Sequence, residues 1–365
     1  MLIVNLLMYF QICLIARVVA GFVPIIEMTL YDFVAIVIWV FISSKIYAKL
    51  YPPKRLIIVY SSHNAEELVR KMSQRTDKYQ ICEAINCEEG FEAIKARIDN
   101  YDGAIICDLP GKDRNDILKY CFEHGKRTYV TPKLSDIIIR GAENIHLFDT
   151  PILLSRNNGL TFEQRVLKRF LDIFLSVIGL IIISPFMLIV SFLIKIYDGG
   201  PVFFKQDRVT KDGRVFKIYK FRSMREQTPD EKAHPAEKDD DRITPIGKII
   251  RKIRFDEFPQ LINIIKGDMS IVGPRPEAVE LFDKYEESIP EFKYRTKVKA
   301  GLTGYAQIFG KYNTSAYDKL KLDLIYIEDY SLRLDVQLVI MTIKVLFMKE
   351  STEGFDNDIG TPDAK

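Results

Sequence analysis

The chemistry that stands out first lies in the run Arg254-Phe255-Asp256-Glu257-Phe258-Pro259-Gln260-Leu261. Asp256 is a good N-cap and Pro259 suits a first turn, so the run predicts a helix that opens here, continues to Lys266 and stops at Gly267. Two carboxylates would then sit at the positive end of a helix dipole, where anions and metal-bound phosphates also bind. Adjacent acids can divide the labour: one attacks a phosphorus, and the other holds a divalent metal that neutralises the phosphate oxygens. Alone, an Asp-Glu pair at a helix start reads more readily as a mere cap. The neighbours favour chemistry. Gly273-Pro274-Arg275-Pro276 locks an arginine between two prolines, which lowers the entropy lost when it grips a phosphate. Lys220 and Arg222, in Lys220-Phe221-Arg222-Ser223-Met224, come after a strand-like stretch and add two cations. Arg251 precedes Asp256 by five residues and reaches the same place if the chain curves. Each cation singly is compatible with a solvated or lipid-facing surface. Together, beside one acidic pair and behind a membrane segment, they outline a phosphate-handling site.

The elements that must position these residues fall into contrasting parts. A chain of 365 residues has room for two domains with their own cores. With 48% hydrophobic and 28% charged residues, wholesale disorder is excluded. The net charge of +3 says little, but its distribution does. Residues 205–225 carry eight basic side chains against two acids, and 242–254 carry five against none, patches that suit phosphates or anionic headgroups. Nucleic acid is disfavoured, since no base-stacking aromatic platform accompanies the basic residues. The five cysteines (Cys13, Cys82, Cys87, Cys107, Cys121) lack metal-ligand spacing and read as buried, reduced thiols.

Residues 1–50 predict a transmembrane hairpin, with spans near 2–26 and 30–48. The first is interrupted by Arg17 and Pro24, and the second is flanked by Lys45, Lys49, Lys54 and Arg55. That basic flank places the next domain in the cytoplasm. No cleaved signal peptide is expected. Residues 55–156 alternate strand-like runs (56–60, 80–85, 103–107, 127–130) with helical stretches (65–74, 91–100, 115–123), the pattern of an α/β, Rossmann-like parallel sheet. The first strand-to-helix turn, Tyr60-Ser61-Ser62-His63-Asn64, lacks the glycines that a dinucleotide pyrophosphate needs. A structural or regulatory module is the default reading.

Residues 174–194 form an uncharged run long enough to span a bilayer, interrupted by Ser184-Pro185. Basic residues flank it on both sides: Arg165, Lys168 and Arg169 before, Lys195, Lys205 and Arg208 after. The positive-inside rule therefore favours a bent helix that enters and returns, with a plain spanning helix as the simpler alternative. Residues 227–241 read as a mobile, charged loop and 335–348 as an apolar helix lying against the membrane or the fold. The tail from 349 to 365 reads as disordered. No internal repeat is visible.

Four ordered stretches now carry a resemblance: the helix with Ser184-Pro185, then GGPVFFKQDRVTKDGRVFKIYKFRSM, then TPIGKIIRKIRFDEFPQLINIIKGDMSIVGPRP, and finally AGLTGYAQIFGKYN. Over about residues 164–347, half the chain, the sequence resembles the bacterial sugar transferases, the monotopic polyprenyl-phosphate phosphoglycosyl transferases. The N-terminal half is similar to the long-form members, which carry membrane helices and a degenerate nucleotide-fold domain. Two N-terminal helices, where long forms usually have four, would make this a shortened version.

The resemblance implies a re-entrant membrane helix bent at Ser184 and Pro185, then a mainly α catalytic domain with amphipathic helices, together spanning 163–348. It implies that Asp256 forms a covalent phospho-sugar intermediate, that Glu257 helps hold Mg²⁺, that Arg251 and Arg275 contact phosphate with Lys220 nearby, and that Gln307 and Lys311 lie near the nucleotide. The implied partners are a UDP-sugar donor, undecaprenyl phosphate as acceptor and the bilayer of a bacterial inner membrane, with the catalytic part facing the cytoplasm; a homodimer stays open. Thr210, Ala300 and Lys311 depart from the family's usual glycine, proline and arginine, which blurs any inference about the sugar but leaves the Asp-Glu core untouched.

Two rival readings remain at this level. A membrane-bound glycosyltransferase extending a lipid-linked sugar would need an acidic metal motif, which Asp239-Asp240-Asp241 imitates within a charged, proline-bearing loop. A non-catalytic membrane adaptor would need none of the Asp256 chemistry.

Overall fold

A computed structural model of the chain describes residues 2–17, 21, 23–61, 64–155, 159–225, 242–310 and 314–346. Contacts group the chain into two compact units, Met1–Pro132 and Lys133–Lys365.

The first unit opens with helices α1 (Leu2–Ala16) and α2 (Val23–Leu50). At 15 residues, α1 rises about 22 Å, less than the ~30 Å hydrocarbon core. The expected first span over 2–26 is thus corrected: the helix ends at Ala16, and Pro24 falls in the first turn of α2, where proline is tolerated. By length and composition α2 can cross a membrane. The two helices share a polar contact in apolar surroundings, with Asn5 Nδ2 donating to Asp32 Oδ2 at 2.8 Å and to Thr29 Oγ1 at 3.3 Å.

Then come β1 (Lys54–Tyr60), α3 (Asn64–Ser73), β2 (Tyr79–Asn86), α4 (Phe91–Ile98), β3 (Gly103–Cys107), α5 (Gly111–Glu123) and β4 (Arg127–Val130). The strands pair in the order β2-β1-β3-β4, all parallel. Strand β1 is buried on both faces, as a parallel sheet under helices demands. Ile57 and Val59 pack with Ile94, Ile98 and Ile117 of α4 and α5; Leu56 and Ile58 pack with Ala65, Leu68 and Val69 of α3. Cys107 and Cys121 are buried here as expected, but Cys82 is exposed and Cys13 and Cys87 are half-buried; all five are free thiols.

The parallel sheet ends at Val130, not near residue 156. Helix α6 (Leu134–Arg140) and the antiparallel hairpin of β5 (Glu143–Leu147) and β6 (Thr150–Leu154) fall in the second unit. The reason is α6: Ile137 buries itself among Leu320, Leu324 and Ile327, and Arg140 pairs with Asp329 at 3.0 Å.

Helix α7 (Phe162–Asp198) begins with a Thr161–Gln164 capping box and ends at Gly199, whose φ of 72° is the left-handed cap that glycine accepts readily. It runs unbroken across Pro185. Proline removes the amide that would bond the carbonyl of Ile181, and Ser184 Oγ donates to that carbonyl instead, at 3.0 Å. Next come the antiparallel pair β7 (Phe203–Val209) and β8 (Val215–Phe221), then α8 (Pro245–Lys252), α9 (Gln260–Lys266), β9 (Ser270–Val272), α10 (Val279–Ser288), β10 (Gly301–Thr303), α11 (Tyr305–Phe309), α12 (Ala316–Glu328) and α13 (Leu332–Leu346). Strands β9 and β10 pair in parallel. The core of this unit gathers Val272, Phe282, Phe292, Leu320, Leu324, Tyr326 and Leu338. Helix α13 lies against that core through Leu334, Leu338 and Val339, and exposes Val336, Ile340 and Ile343. The loop expected at 227–241 and the tail 349–365 lie outside the described residues.

The flank of α7 is a second correction. Lys168 and Arg169, counted in the basic flank that the positive-inside rule uses, are bonded inside the protein. Lys168 Nζ pairs with Asp335 Oδ2 of α13 at 2.6 Å, and Arg169 caps α9 by donating to the carbonyls of Ile264 and Ile265 at 2.6 and 2.7 Å. One turn on, Asp172 Oδ1 accepts from Ser270 Oγ at 3.0 Å and Ile271 N at 2.9 Å. Further along, Leu180 packs with Leu261 and Ile264, and Ile194 is buried with Phe221 and Ile250. The helix therefore touches one folded body near both of its ends.

Candidate active site

Helix α8 starts at Thr244, whose side chain accepts from Gly247 N at 2.9 Å, with Pro245 in its first turn. It buries Ile250 and exposes Ile249 and Ile253 among Lys248, Arg251 and Lys252. Arg254 then adopts a left-handed conformation (φ 52°) and turns the chain back, so that Arg251 exerts its field on Asp256. The anticipated curvature is this one residue.

Asp256 is not the N-cap of a long helix. It sits inside a single 3₁₀ turn, Phe255–Glu257, and α9 begins only at Gln260 with Pro259 as its cap. Phe255 anchors the turn: its ring stacks on Phe221 at 6.0 Å between centroids and meets Phe258 edge-on at 5.0 Å. This packing, more than a helix dipole, holds the acidic pair in place.

Glu257 Oε1 is where the cations converge. Lys220 Nζ, at the end of β8, and Arg275 Nη2, between its prolines, each lie 3.2 Å away. Four further hydrogen bonds fix them there. Asn263, fully buried in α9, accepts from Tyr219 N at 2.9 Å and donates to Lys217 O at 2.8 Å, clamping β8 beside the turn. Gly273 N donates to Thr303 O, and Gly301 N donates to Pro274 O, both at 2.8 Å. The chains approach so closely here that a Cβ on Gly301 would collide with the Gly273 backbone, and one on Gly273 with the carbonyl of Lys299.

These charges set the protonation states. Burial pushes Glu257 upward, but Lys220, Arg275 and Arg254 outweigh it and hold the carboxyl well below the usual carboxylate range. Asp256 goes the other way: burial, then the negative charge of Glu257, raise it against the pull of Lys220 and Arg251. Among the described residues no side chain hydrogen-bonds the Asp256 carboxylate, whereas Glu257 is gripped twice. One acid is fixed and ionised; its neighbour carries no side-chain hydrogen bond among the described residues.

The other sequence candidates fall elsewhere. Arg222 lies just past the end of β8, where strand alternation no longer carries it to the face of Lys220; its guanidinium packs over Gly200, which has no room for a Cβ. Gln307, in α11, donates to Leu302 O at 3.1 Å. Lys311 lies outside the described residues. Ser184 and Pro185 sit within α7, far from the acidic pair in sequence, with the Ser184 hydroxyl spent on the Ile181 carbonyl. Asn263, Arg208 and Arg295 were missed. Arg208 was visible only as a cation of the 205–225 patch and of the flank of the 174–194 run; Asn263 was one polar residue in the apolar run 261–265, and Arg295 one cation among several in 293–297.

Among the described residues no three His, Cys, Asp or Glu side chains gather as a metal cage. The pair Asp256 and Glu257 offers hard oxygen donors whose mutual repulsion a cation would relieve. That is a fitting donor set for Mg²⁺, which takes one or two carboxylates and completes its shell with water and substrate phosphates.

Comparison with known proteins places this site in a wider group. The chain is 44% identical over 183 residues to the UDP-N-acetylgalactosamine-undecaprenyl-phosphate N-acetylgalactosaminephosphotransferase of Aeromonas hydrophila, covering 49% of this chain and 43% of that protein. It is 39% identical over 218 residues to the UDP-glucose:undecaprenyl-phosphate glucose-1-phosphate transferase of Klebsiella pneumoniae, covering 58% and 45%. The chain thus spans less than half the length of these two relatives. The exopolysaccharide production protein PSS of Rhizobium leguminosarum is 40% identical over 187 residues, 49% of this chain and 94% of that protein. The sequence profile of the bacterial sugar transferases matches residues 163–349, the part that contains α7, both members of the acidic pair and the cations around them. The chain belongs to the bacterial sugar transferase family.

Proposed function

We propose that the protein is a phosphoglycosyl transferase that moves a sugar 1-phosphate from a UDP-sugar to undecaprenyl phosphate, the first membrane step of exopolysaccharide, capsule or O-antigen assembly. The observation that carries this reading is the meeting of Lys220 and Arg275 on Glu257, directly beside an Asp256 with no bonded side-chain partner among the described residues. A carboxylate oxygen of Asp256 attacks the phosphorus bonded to the sugar, the bond from that phosphorus to the bridging oxygen breaks, and UMP leaves with that oxygen. An oxygen of undecaprenyl phosphate then attacks the same phosphorus, breaking its bond to Asp256. This forms the lipid diphosphate-sugar and regenerates the carboxylate. Splitting the transfer lets a soluble donor and a lipid acceptor use one site in turn.

Arg275 and Lys220 balance the charge of the phosphates, and Arg251 adds its field at Asp256. Glu257 is held ionised and in place by its two cations. Bound at Glu257, Mg²⁺ would supply neutralisation of the phosphate oxygens.

Helix α7 is read as re-entrant in the cytoplasmic membrane, leaving the catalytic unit on the cytoplasmic side. Its contacts with the same body at Lys168 and Asp172 near one end and at Ile194 near the other support both ends lying on one side. The exposed Ile249 and Ile253 beside basic residues suit the headgroup level, where the acceptor presents its phosphate. The decisive experiment screens UDP-sugars with undecaprenyl phosphate and Mg²⁺ for nucleotide release, comparing wild type with Asp256→Asn. UMP from the wild type and none from the variant, at equal membrane insertion, is expected; UDP as the product, or undiminished turnover by the variant, overturns the proposal.

A further inference from the structure

Along residues 274–277, every carbonyl is held by a donor from another element. Pro274 O accepts from Gly301 N at 2.8 Å and Glu277 O from Val209 N at 3.1 Å. The two between are held by side chains: Arg275 O by Arg295 Nη2 and Pro276 O by Arg208 Nη1, each at 2.9 Å. Prolines 274 and 276 have no amide to donate, so this strap cannot fix itself through its own N–H groups there. Proline at 276 also narrows the conformations open to Arg275 without choosing where its carbonyl points. That choice falls to Arg295.

Arg295 is an unusual place to find a guanidinium. It is 4% exposed, and it pairs with Asp323 Oδ2 at 2.7 Å and Glu277 Oε1 at 3.5 Å, Asp323 itself being 1% exposed. A charge this deep destabilises the fold unless paired, and replacing such a cluster with apolar side chains is often neutral or better. Its pairing therefore offsets the cost of its burial rather than adding to stability. Among the described residues Arg295 bonds none of Asp256, Glu257 or Lys220; it meets the strap at the Arg275 carbonyl and at the Glu277 carboxylate.

We propose that Arg295, together with Arg208, is a positioning residue that aims the Arg275 fork at the donor phosphates by holding the carbonyls of Arg275 and Pro276. The inference rests on the phosphoglycosyl-transfer reading of the acidic site. In a displacement at phosphorus, a misplacement of about 1 Å is enough to lower the rate on the order of 100-fold.

The test is a double-mutant cycle in the full-length protein, read as kcat/KM for UMP release and as the Kd of UDP. Arg295→Lys keeps a charge, but one ammonium on a shorter side chain cannot reproduce the Nη1 contact to Glu277 and the Nη2 contacts to Asp323 and Arg275 O together. It should lower kcat/KM by about 10- to 100-fold in the wild-type background. In an Arg275→Gln background it should cost less than about twofold, because the group it aims is gone. Arg208→Lys, at a side chain only partly buried, should show the same non-additivity and serves where Arg295→Lys does not fold. Equal losses in both backgrounds, by both readouts, would make these arginines merely structural and overturn the proposal. A wild type that binds UDP yet releases no UMP from any UDP-sugar would instead remove the transfer reading itself.

Discussion

Replacing Arg275 by lysine keeps a positive charge between the two prolines and removes only the planar fork. In the wild type one guanidinium nitrogen, Nη2, already donates to Glu257 Oε1 at 3.2 Å, so a phosphate must be met by the rest of the group. A lysine brings a single ammonium, and the ionised Glu257 beside it competes with the phosphate for that one group. One charge-assisted hydrogen bond is lost, about 1.5–3 kcal/mol, which corresponds to roughly 10- to 150-fold in kcat/KM. Stability should hardly change, since the Arg275 side chain is 41% exposed and Lys220 continues to pair with Glu257. The assay is UMP release by the purified protein in detergent, with the UDP-sugar varied and undecaprenyl phosphate saturating, alongside a thermal melt. An Arg275→Lys variant whose kcat/KM stays within about twofold of wild type would show that no fork is needed and reduce Arg275 to a counter-charge for Glu257.

The protonation of Asp256 gives a pH prediction. Burial and Glu257 raise its pKa, and only the ionised form attacks, so UMP release should fall on acidification at a pH above the usual aspartate range; an acid limb within that range contradicts it. The clamp at the base of α7 gives a stability prediction. Lys168 and Asp335 are 9% and 12% exposed at 2.6 Å. Lys168→Met should therefore destabilise by about 3 kcal/mol, the low end for breaking a buried pair, because Tyr326 still donates to Asp335 at 2.8 Å. The double variant Lys168→Met/Asp335→Leu should recover most of that loss in a thermal melt, and an equal loss in single and double variants would refute the ion-pair account. For topology, single cysteines at positions 163 and 198, in a background lacking the native five, should label from the same side with an impermeant reagent; labelling from opposite sides makes α7 an ordinary spanning helix.

What the sequence determined alone was whatever repeats at short range. The strands 103–107 and 127–130 coincide with β3 and β4: the apolar run of β3 marks a strand buried on both faces, and the β-branched and aromatic residues of β4 mark its half-buried neighbour. The Ser184–Pro185 pair foretold the freed carbonyl of Ile181 and the hydroxyl that meets it, since both lie within one helical turn. The acidic pair was legible from residue chemistry, and the strap around Arg275 from its flanking prolines.

Tertiary structure decided the rest, because it depends on partners far apart in the chain. Glu257 meets Lys220 and Arg275 across 37 and 18 residues, and no local pattern tells Lys220 from Arg222 until the strand is seen to end between them. A count of charges puts Lys168 and Arg169 at the membrane surface, whereas Asp335 and the last carbonyls of α9 draw them inward. Capping preference alone gave Asp256 to the start of a helix; the left-handed turn at Arg254 and the aromatic packing of Phe255 set it instead in a 3₁₀ turn. Arg295 is one polar letter in the sequence, and only the fold, by bringing the carbonyl of Arg275 within 2.9 Å, gives that letter a direction in which to act.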